Sequence, residues 1–293
     1  MQNQNHGRYP YSAIRDRPDF SWPNGKRLAV YLGMNLECFS FGEGLGAELA
    51  PGGPQPDVLN YAWRDYGNRV GAWRLLDLFN DLDVPSTVLV NSNLYDQAPG
   101  LVEAFRERGD EIAGHGRTNA ERQGTLSEAE ERTLITQSTQ ILTQQEGTQP
   151  KGWLGPWISQ SHLTPDLLQE AGYEYLLDWC HDDQPIWMNT RAGRILSVPY
   201  PQELNDIPQI VGRKREGAEF CDMIIDAFDM LLAESSRYPL VMGIALHGYI
   251  MGQPHRAKHL ARALRHIQAT GGDRVWWTTA GQINDHFRSL DMN

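Results

Sequence analysis

The sequence predicts a single α/β domain, a distorted (β/α) barrel of parallel strands joined by helical crossovers. Three observations predict it. Short apolar runs alternate with amphipathic helical stretches, no composition break divides the chain, and no repeat recurs at a fixed period. A length of 293 residues would admit two domains, but α/β barrels of this size commonly form one. Residues 1–293 are therefore read as one barrel, with a polar N-terminal arm at 1–25 and a Gly/Pro-rich loop at 39–60.

The elements follow in order. Arg27 to Asn35 is a short apolar run ending in a polar cluster, which reads as a buried strand meeting a loop. Phe39 to Pro56 carries Gly42, Gly44, Gly46, Pro51, Gly52, Gly53, Pro54 and Pro56, too many breakers for regular structure. A long loop of this kind in a compact domain is usually functional, so it is expected as a lid or rim. Ala72, Leu75, Leu76, Phe79 and Leu82 recur at helical spacing, and Pro85 ends that helix before a strand over Ser86 to Asn91. Ser127 and Glu130 form a capping box ahead of a helix with Leu134, Ile141 and Leu142 inside. Thr164-Pro165 opens another helix. Phe220, Ile224, Phe228 and Leu231 mark the next, before a strand at Leu240 to Leu246. A helix carrying Leu260, Leu264 and Ile267 and a strand at Arg274 to Trp277 complete the pattern.

Composition excludes several classes. The net charge of −11 repels nucleic acid, and Arg213-Lys214-Arg215 is too short a basic cluster to offset it. No apolar run reaches the length of a membrane span, and the amino terminus lacks the apolar stretch of a secretory signal. Cys38, Cys180 and Cys221 are odd in number and widely spaced, which argues for a reducing compartment. The expected location is the cytoplasm. Nine tryptophans and eleven tyrosines suit a small planar ligand, although most will simply pack the core.

In barrels of this class the chemistry sits where strands end. Three polar clusters lie at such places: Asn35-Leu36-Glu37-Cys38, Gly114-His115-Gly116-Arg117-Thr118-Asn119 and Leu246-His247-Gly248. A carboxylate and two imidazoles converging on one mouth would supply a base, an acid and an electrostatic clamp for hydrolysis. On spacing alone, His115 and His247 read equally well as catalytic groups or as structural hydrogen-bonding ones. Glu37 points more firmly to function, since a carboxylate after an apolar strand is costly to bury. Asp182-Asp183-Gln184-Pro185 reads as a turn, and Asp178 as the close of a strand-like run. One of Trp276 and Trp277 is expected in the core.

The order of these clusters resembles the polysaccharide deacetylase superfamily. More specifically, the chain resembles the branch of metal-independent allantoinases and bacterial cyclic imide hydrolases. The likeness rests on Asp65-Tyr66-Gly67-Asn68-Arg69-Val70-Gly71-Ala72-Trp73-Arg74, Gly114-His115-Gly116, Lys151-Gly152-Trp153, Asp182-Asp183-Gln184-Pro185 and Ile244-Ala245-Leu246-His247. Within that branch, the run from Gly114 to Gln123 and the run from Gly152 to Trp157 look closest to the cyclic imide hydrolases. The resemblance implies a barrel of the polysaccharide deacetylase type. It casts Glu37 as the base that activates water and His247 as the proton donor to the leaving group. It places His115, with Asn119 beside it, on the carbonyl oxygen, and Asn35, Cys38 and Trp157 around the substrate. For Asn119 an Asx-type loop bond stands as an equal alternative.

Two departures matter. Sugar deacetylases hold a divalent metal with an acid and two histidines, and this chain offers Cys38, His115 and Asn119 there. Zinc accepts Cys and His but takes Asn poorly, so no metal or other cofactor is expected, with zinc on Cys38 and His115 as the alternative. The family's Arg-x-Pro-Tyr segment is altered to Leu154-Gly155-Pro156-Trp157, which leaves the arginine that orients the base without a counterpart. Cys38 as a nucleophile is a lesser alternative, because no neighbouring histidine is evident. The expected activity is opening of the ring C–N bond of a small cyclic imide, of the succinimide or maleimide type. An allantoinase-type ureide hydrolase, a metal-dependent sugar deacetylase and an inactive ligand-binding barrel stand as rivals. The expected partners are a small cyclic imide or amide and copies of the chain itself, as a homo-oligomer (a tetramer by the resemblance), with neither nucleic acid nor membrane.

Overall fold

The computed structural model describes residues 6–290. The first strand, β1 (Leu28–Leu36), is buried at every position, as a parallel strand covered on both faces must be. Its side chains divide by parity. Leu28, Val30, Leu32, Met34 and Leu36 face outward beneath the helices, whereas Ala29 and Tyr31 face into the barrel.

A coil of Gly and Pro follows, but it is shorter than the composition suggests. Helix α1 (Val58–Tyr66) starts within the expected 39–60 loop because Asp57 caps it, its Oδ1 accepting from Asn60 N at 3.1 Å. The coil is also a fixed rim and not a free lid. Leu45 N donates to Ala120 O at 2.9 Å, Ala50 N to the Asn60 side chain at 3.0 Å, and the buried Arg64 guanidinium donates to Ala47 O while lying over the Phe39 ring.

A π-turn at Gly67–Gly71 joins α1 to α2 (Ala72–Asp81). Then come β2 (Ser86–Val90), α3 (Leu94–Gln97), α4 (Leu101–Glu107), β3 (Glu111–Gly114) and α5 (Glu128–Glu146), the last opened by the Ser127/Glu130 capping box. The pair β4 (Gly152–Trp153) and β5 (Tyr175–Leu176) flanks α6 (Thr164–Glu170). Periodicity gives no element for 186–197, yet these residues form an antiparallel hairpin of β6 (Ile186–Thr190) and β7 (Gly193–Ser197). The chain finishes with α7 (Gly217–Glu234), β8 (Leu240–His247), α8 (Pro254–Gly271), β9 (Val275–Thr278) and α9 (Ala280–Ser289).

The sheet runs β6-β7-β5-β4-β3-β2-β1-β8, with β9 also paired to β1. Its two ends do not meet as regular strands. The gap from β7 to β8 is bridged by irregular chain: Asn205 pairs with Ala245 in an isolated parallel bridge, and Val241 N donates to Asp183 O. This is the distortion in the barrel. It has a steric cause as well, since a Cβ at Gly243 would stand 2.8 Å from the Pro201 ring. Trp276 and Trp277 split by parity, the first packing on the interior cluster and the second on the outer one, so both are half-buried.

The N-terminal arm is strapped down by Arg8 on Asp166 and by a bidentate Arg17–Asp182 pair at 2.7 and 2.6 Å. Asp182 also accepts from Gln184 N at 2.9 Å, which is the expected turn. Among the described residues, no helix is long and apolar enough to cross a membrane.

The π-turn presses directly on the loop after β8. A Cβ on Gly71 would lie 1.9 Å from Gly248 O, a backbone atom that cannot step aside. Gly71→Ala is expected to cost about 1–3 kcal/mol or more through overpacking. A fall in the urea midpoint at constant m-value would show it; an unchanged midpoint would mean that the two segments can separate freely.

Candidate active site

The period of two that sorts the core also builds the site. Continuing the inward set of β1 from Ala29 and Tyr31 brings Asn35 and then Glu37 to the mouth. Likewise Leu89 leads to Asn91, Ala113 to His115, and Val241 and Ala245 to His247. Cys38 has the opposite parity and joins the outer cluster.

These groups converge on a cavity of about 150 Å³ lined by Asn35, Glu37, His115, Asn119, Trp157 and His247, with further walls from Leu154, Ile158, Tyr200, Ile207, Pro208 and Tyr249. Its lining carries no lysine or arginine. Glu37 sits at the centre, 5% exposed. Its Oε1 accepts from Asn119 Nδ2 and lies 3.4 Å from Nε2 of both His115 and His247. Its Oε2 accepts from the Tyr249 hydroxyl at 3.0 Å. Asn68 Nδ2 holds the Glu37 carbonyl at 2.7 Å. Burial pushes the carboxyl pKa up, but the His247 charge and the hydrogen bonds of both imidazoles outweigh it, and Glu37 is held well below the usual carboxylate range.

Each imidazole is oriented through its far nitrogen. His115 Nδ1 lies 2.7 Å from Leu154 O, and a carbonyl oxygen can only accept, so Nδ1 carries the hydrogen. Its Nε2 faces Glu37 Oε1 at 3.4 Å. His247 Nδ1 stands 2.6 Å from Asp206 Oδ1, and Asp206 Oδ2 accepts the His247 backbone N–H at 2.8 Å. Burial works against charge on this ring, but Asp206 and Glu37 more than offset it, and the His247 pKa is pushed up to about 10. At neutral pH the site therefore pairs an ionised Glu37 with an imidazolium whose Nε2 lies 3.4 Å from it.

Two further placements revise the expectations. Asn119 lines the cavity, but Oδ1 takes a hydrogen bond from Asn91 and Nδ2 serves Glu37, so its amide supports the base more than a substrate. Trp157 is a wall, fixed by its Nε1–H donating to Asn119 O at 2.8 Å. Asn35 lies at the cavity floor, donating to the Tyr200 hydroxyl at 3.0 Å.

Cys38 is not on the cavity, which corrects its assignment to substrate binding. Its thiol faces Arg117 O, and burial raises its pKa to about 12, so it supplies neither a nucleophile nor a ready thiolate ligand. The metal of the sugar deacetylases does not fit these residues. Cys38 points away from His115, Asn119 is spent on Glu37, and among the described residues no three His, Cys, Asp or Glu side chains are grouped to hold an ion.

Asp206 and Tyr249 were not singled out by the sequence. Asp206 lies in an irregular crossover with no local signal. Tyr249 follows His247 by two residues and so shares its parity, which was the available clue. Asp206→Asn removes the largest influence raising the His247 pKa. The ring is expected to titrate about 1–3 pH units lower in an NMR titration of the variant. The pairing's stabilisation is present in full below the ordinary histidine value of about 6.5 and is lost as pH rises through about 10. An unshifted His247 titration would show that Asp206 does not set its charge.

Comparison with known proteins agrees with this architecture. The polysaccharide deacetylase family model matches residues 59–176. A Schizosaccharomyces pombe protein assigned to the polysaccharide deacetylases is 28% identical, across 89% of this chain and 90% of its own. A Pseudomonas aeruginosa PAO1 structure assigned likewise superposes with a TM-score of 0.85 at 29% identity, covering 97% of this chain and 99% of the other. The crystal structure of Puue allantoinase gives a TM-score of 0.85 at 28% identity, covering 97% and 98%.

Proposed function

We propose that this chain, a member of the polysaccharide deacetylase superfamily and thus of a hydrolytic family, opens the ring C–N bond of small uncharged cyclic imides without a metal cofactor. One observation carries the reading. A buried, ionised Glu37 lies 3.4 Å from Nε2 of two imidazoles, in a cavity whose lining carries no lysine or arginine and whose imidazolium, His247, is already paired with Glu37 and Asp206. With His247 already paired and no lysine or arginine in the lining, a substrate carboxylate or phosphate would meet the Glu37 charge without a cation of its own. The enclosed volume suits a single ring more than an extended glycan. The apolar walls of Leu154, Trp157, Ile158, Ile207 and Pro208 suit a planar one.

The chemistry follows from the fixed hydrogens. Water, oriented by His115 Nε2 and Glu37, attacks a ring carbonyl and gives its proton to Glu37. The Tyr249 hydroxyl is the neighbouring neutral donor, and it turns from Glu37 Oε2 to the oxygen on which charge develops. His247 Nε2–H protonates the departing ring nitrogen. The proton on Glu37 then returns to His247 across the 3.4 Å gap and resets the pair. An imide nitrogen leaves as a resonance-stabilised amide, which reduces the need for a Lewis acid.

The likeness to Puue allantoinase over nearly the whole chain supports a second reading, hydrolysis of a cyclic ureide by the same groups. Turnover of succinimide, maleimide and allantoin by purified protein with and without chelator separates the possibilities. The expected result is imide turnover indifferent to chelator, with Glu37→Gln slower by about 10²–10⁴-fold. Full activity in that variant would remove Glu37 from the mechanism. Activity that vanishes with chelator and returns with zinc would overturn the metal-free reading.

A further inference from the structure

The mechanism leaves one buried acid unused. Asp178 follows β5, is 7% exposed, and lies behind the cavity wall. Its Oδ1 accepts the Gly155 backbone N–H at 2.8 Å, while its Oδ2 is fully buried and has no hydrogen-bond partner. A second orphan acceptor borders the same glycine. Gln123 is completely buried and its Oε1 is also unpartnered. The amide cannot be turned to relieve this, because Nε2 donates to the Glu131 carboxylate at 2.8 Å. The acid and the amide both border Gly155, where an added Cβ would meet Asp178 Oδ1 at 2.7 Å and Gln123 Oε1 at 3.4 Å.

Two buried acceptors around one glycine without a donor are costly, and one hydrogen shared between them would satisfy both. We propose that Asp178 is a positioning residue acting as a neutral carboxyl, its Oδ2–H donating to Gln123 Oε1 while Oδ1 holds Gly155. The link runs from Glu131 on α5, through Gln123 and Asp178, to the segment 154–158 that walls the cavity. The Glu131 carboxylate accepts from Gln123, Ser161 and Thr164.

The wall needs such an anchor. Trp157 and Ile158 adopt φ of 65° and 52°, a left-handed conformation that non-glycine residues keep only when their surroundings impose it. The same segment supplies the Leu154 carbonyl that orients His115. The titratable groups facing Asp178 are Glu131 and the Cys180 thiol, and neither offers it a positive charge. Burial, with Glu131 adding to it, raises the Asp178 pKa to about 7. A carboxyl whose pKa is raised by folding stabilises fully below the ordinary Asp value of about 3.9, and that contribution is lost as pH rises through about 7.

The proposal uses 154–158 as a wall of the site described above, but its test needs no substrate. Infrared spectra of wild type and Asp178→Asn are compared across pH, with thermal midpoints of both and of Asp178→Ala. An asparagine keeps the acceptor for Gly155 and presents a permanent N–H to Gln123. The expected result is a protonated-carboxyl band present in wild type, absent from Asp178→Asn, and fading as pH passes about 7. Asp178→Asn should match wild type in midpoint on the acid side and exceed it on the alkaline side, while Asp178→Ala is lower throughout. No band difference, or an asparagine variant as unstable as the alanine one at every pH, would overturn the proposal. So would a wild-type midpoint that rises with added sodium or potassium, which would show a cation bridging the two acceptors. Loss of imide turnover alone would bear on the reaction and leave this outcome untouched.

Discussion

The structure depends on keeping one negative charge inside the mouth of a barrel. Glu37 is buried, and an isolated carboxylate in such a place would take up a proton and cease to be a base. Asn119, Tyr249 and two imidazoles prevent that, and each needs its own support. Asp206 holds His247, the Leu154 carbonyl holds His115, and Asn91 holds Asn119. Most of the polar groups around the mouth can be traced to this single electrostatic requirement.

The same charge explains why the irregular segments are fixed. Asn68 reaches the Glu37 carbonyl from the π-turn of the α1–α2 helix, and that turn packs glycine against glycine on the loop carrying Tyr249. The rim after β1 is tied to Ala120, next to Asn119. A π-turn inside a helix is a frequent mark of a functional position, and here it sets the distance between helix and barrel mouth. The Asp65-to-Arg74 motif therefore acts as a support and lies outside the cavity lining.

Arrangement of donors also separates this site from a metal centre. An ion in such a barrel needs ligand lone pairs aimed at a common point. Here Cys38 lies on the wrong face of β1, and the amide in the other ligand position serves Glu37. A hydrogen-bonded carboxylate between imidazoles occupies the mouth. This division of labour suits a leaving group that is already stabilised, as the nitrogen of the proposed imide substrate would be.

Much of this was legible in the chain itself. The apolar run before Asn35, the Ser127/Glu130 capping box and the helical spacing from Ala72 to Leu82 reflect local propensity, and the structure forms those elements as expected. Glu37, His115 and His247 stood out because each follows an apolar strand. The hairpin at 186–197 was not legible, since its pairing is decided by contacts with the rest of the sheet. Nor was Asp206, which reaches His247 from an irregular crossover that follows no period. The hydrogen on His115 Nδ1, and with it the orientation of the ring, depends on a carbonyl 39 residues away. By itself, then, the sequence determined the alternation of strands and helices and which strand ends would carry reactive groups, because those follow from short-range periodicity. The tertiary structure decided which nitrogen donates, which face Cys38 takes and which carboxyl stays charged, because these depend on non-local neighbours and on the exclusion of water.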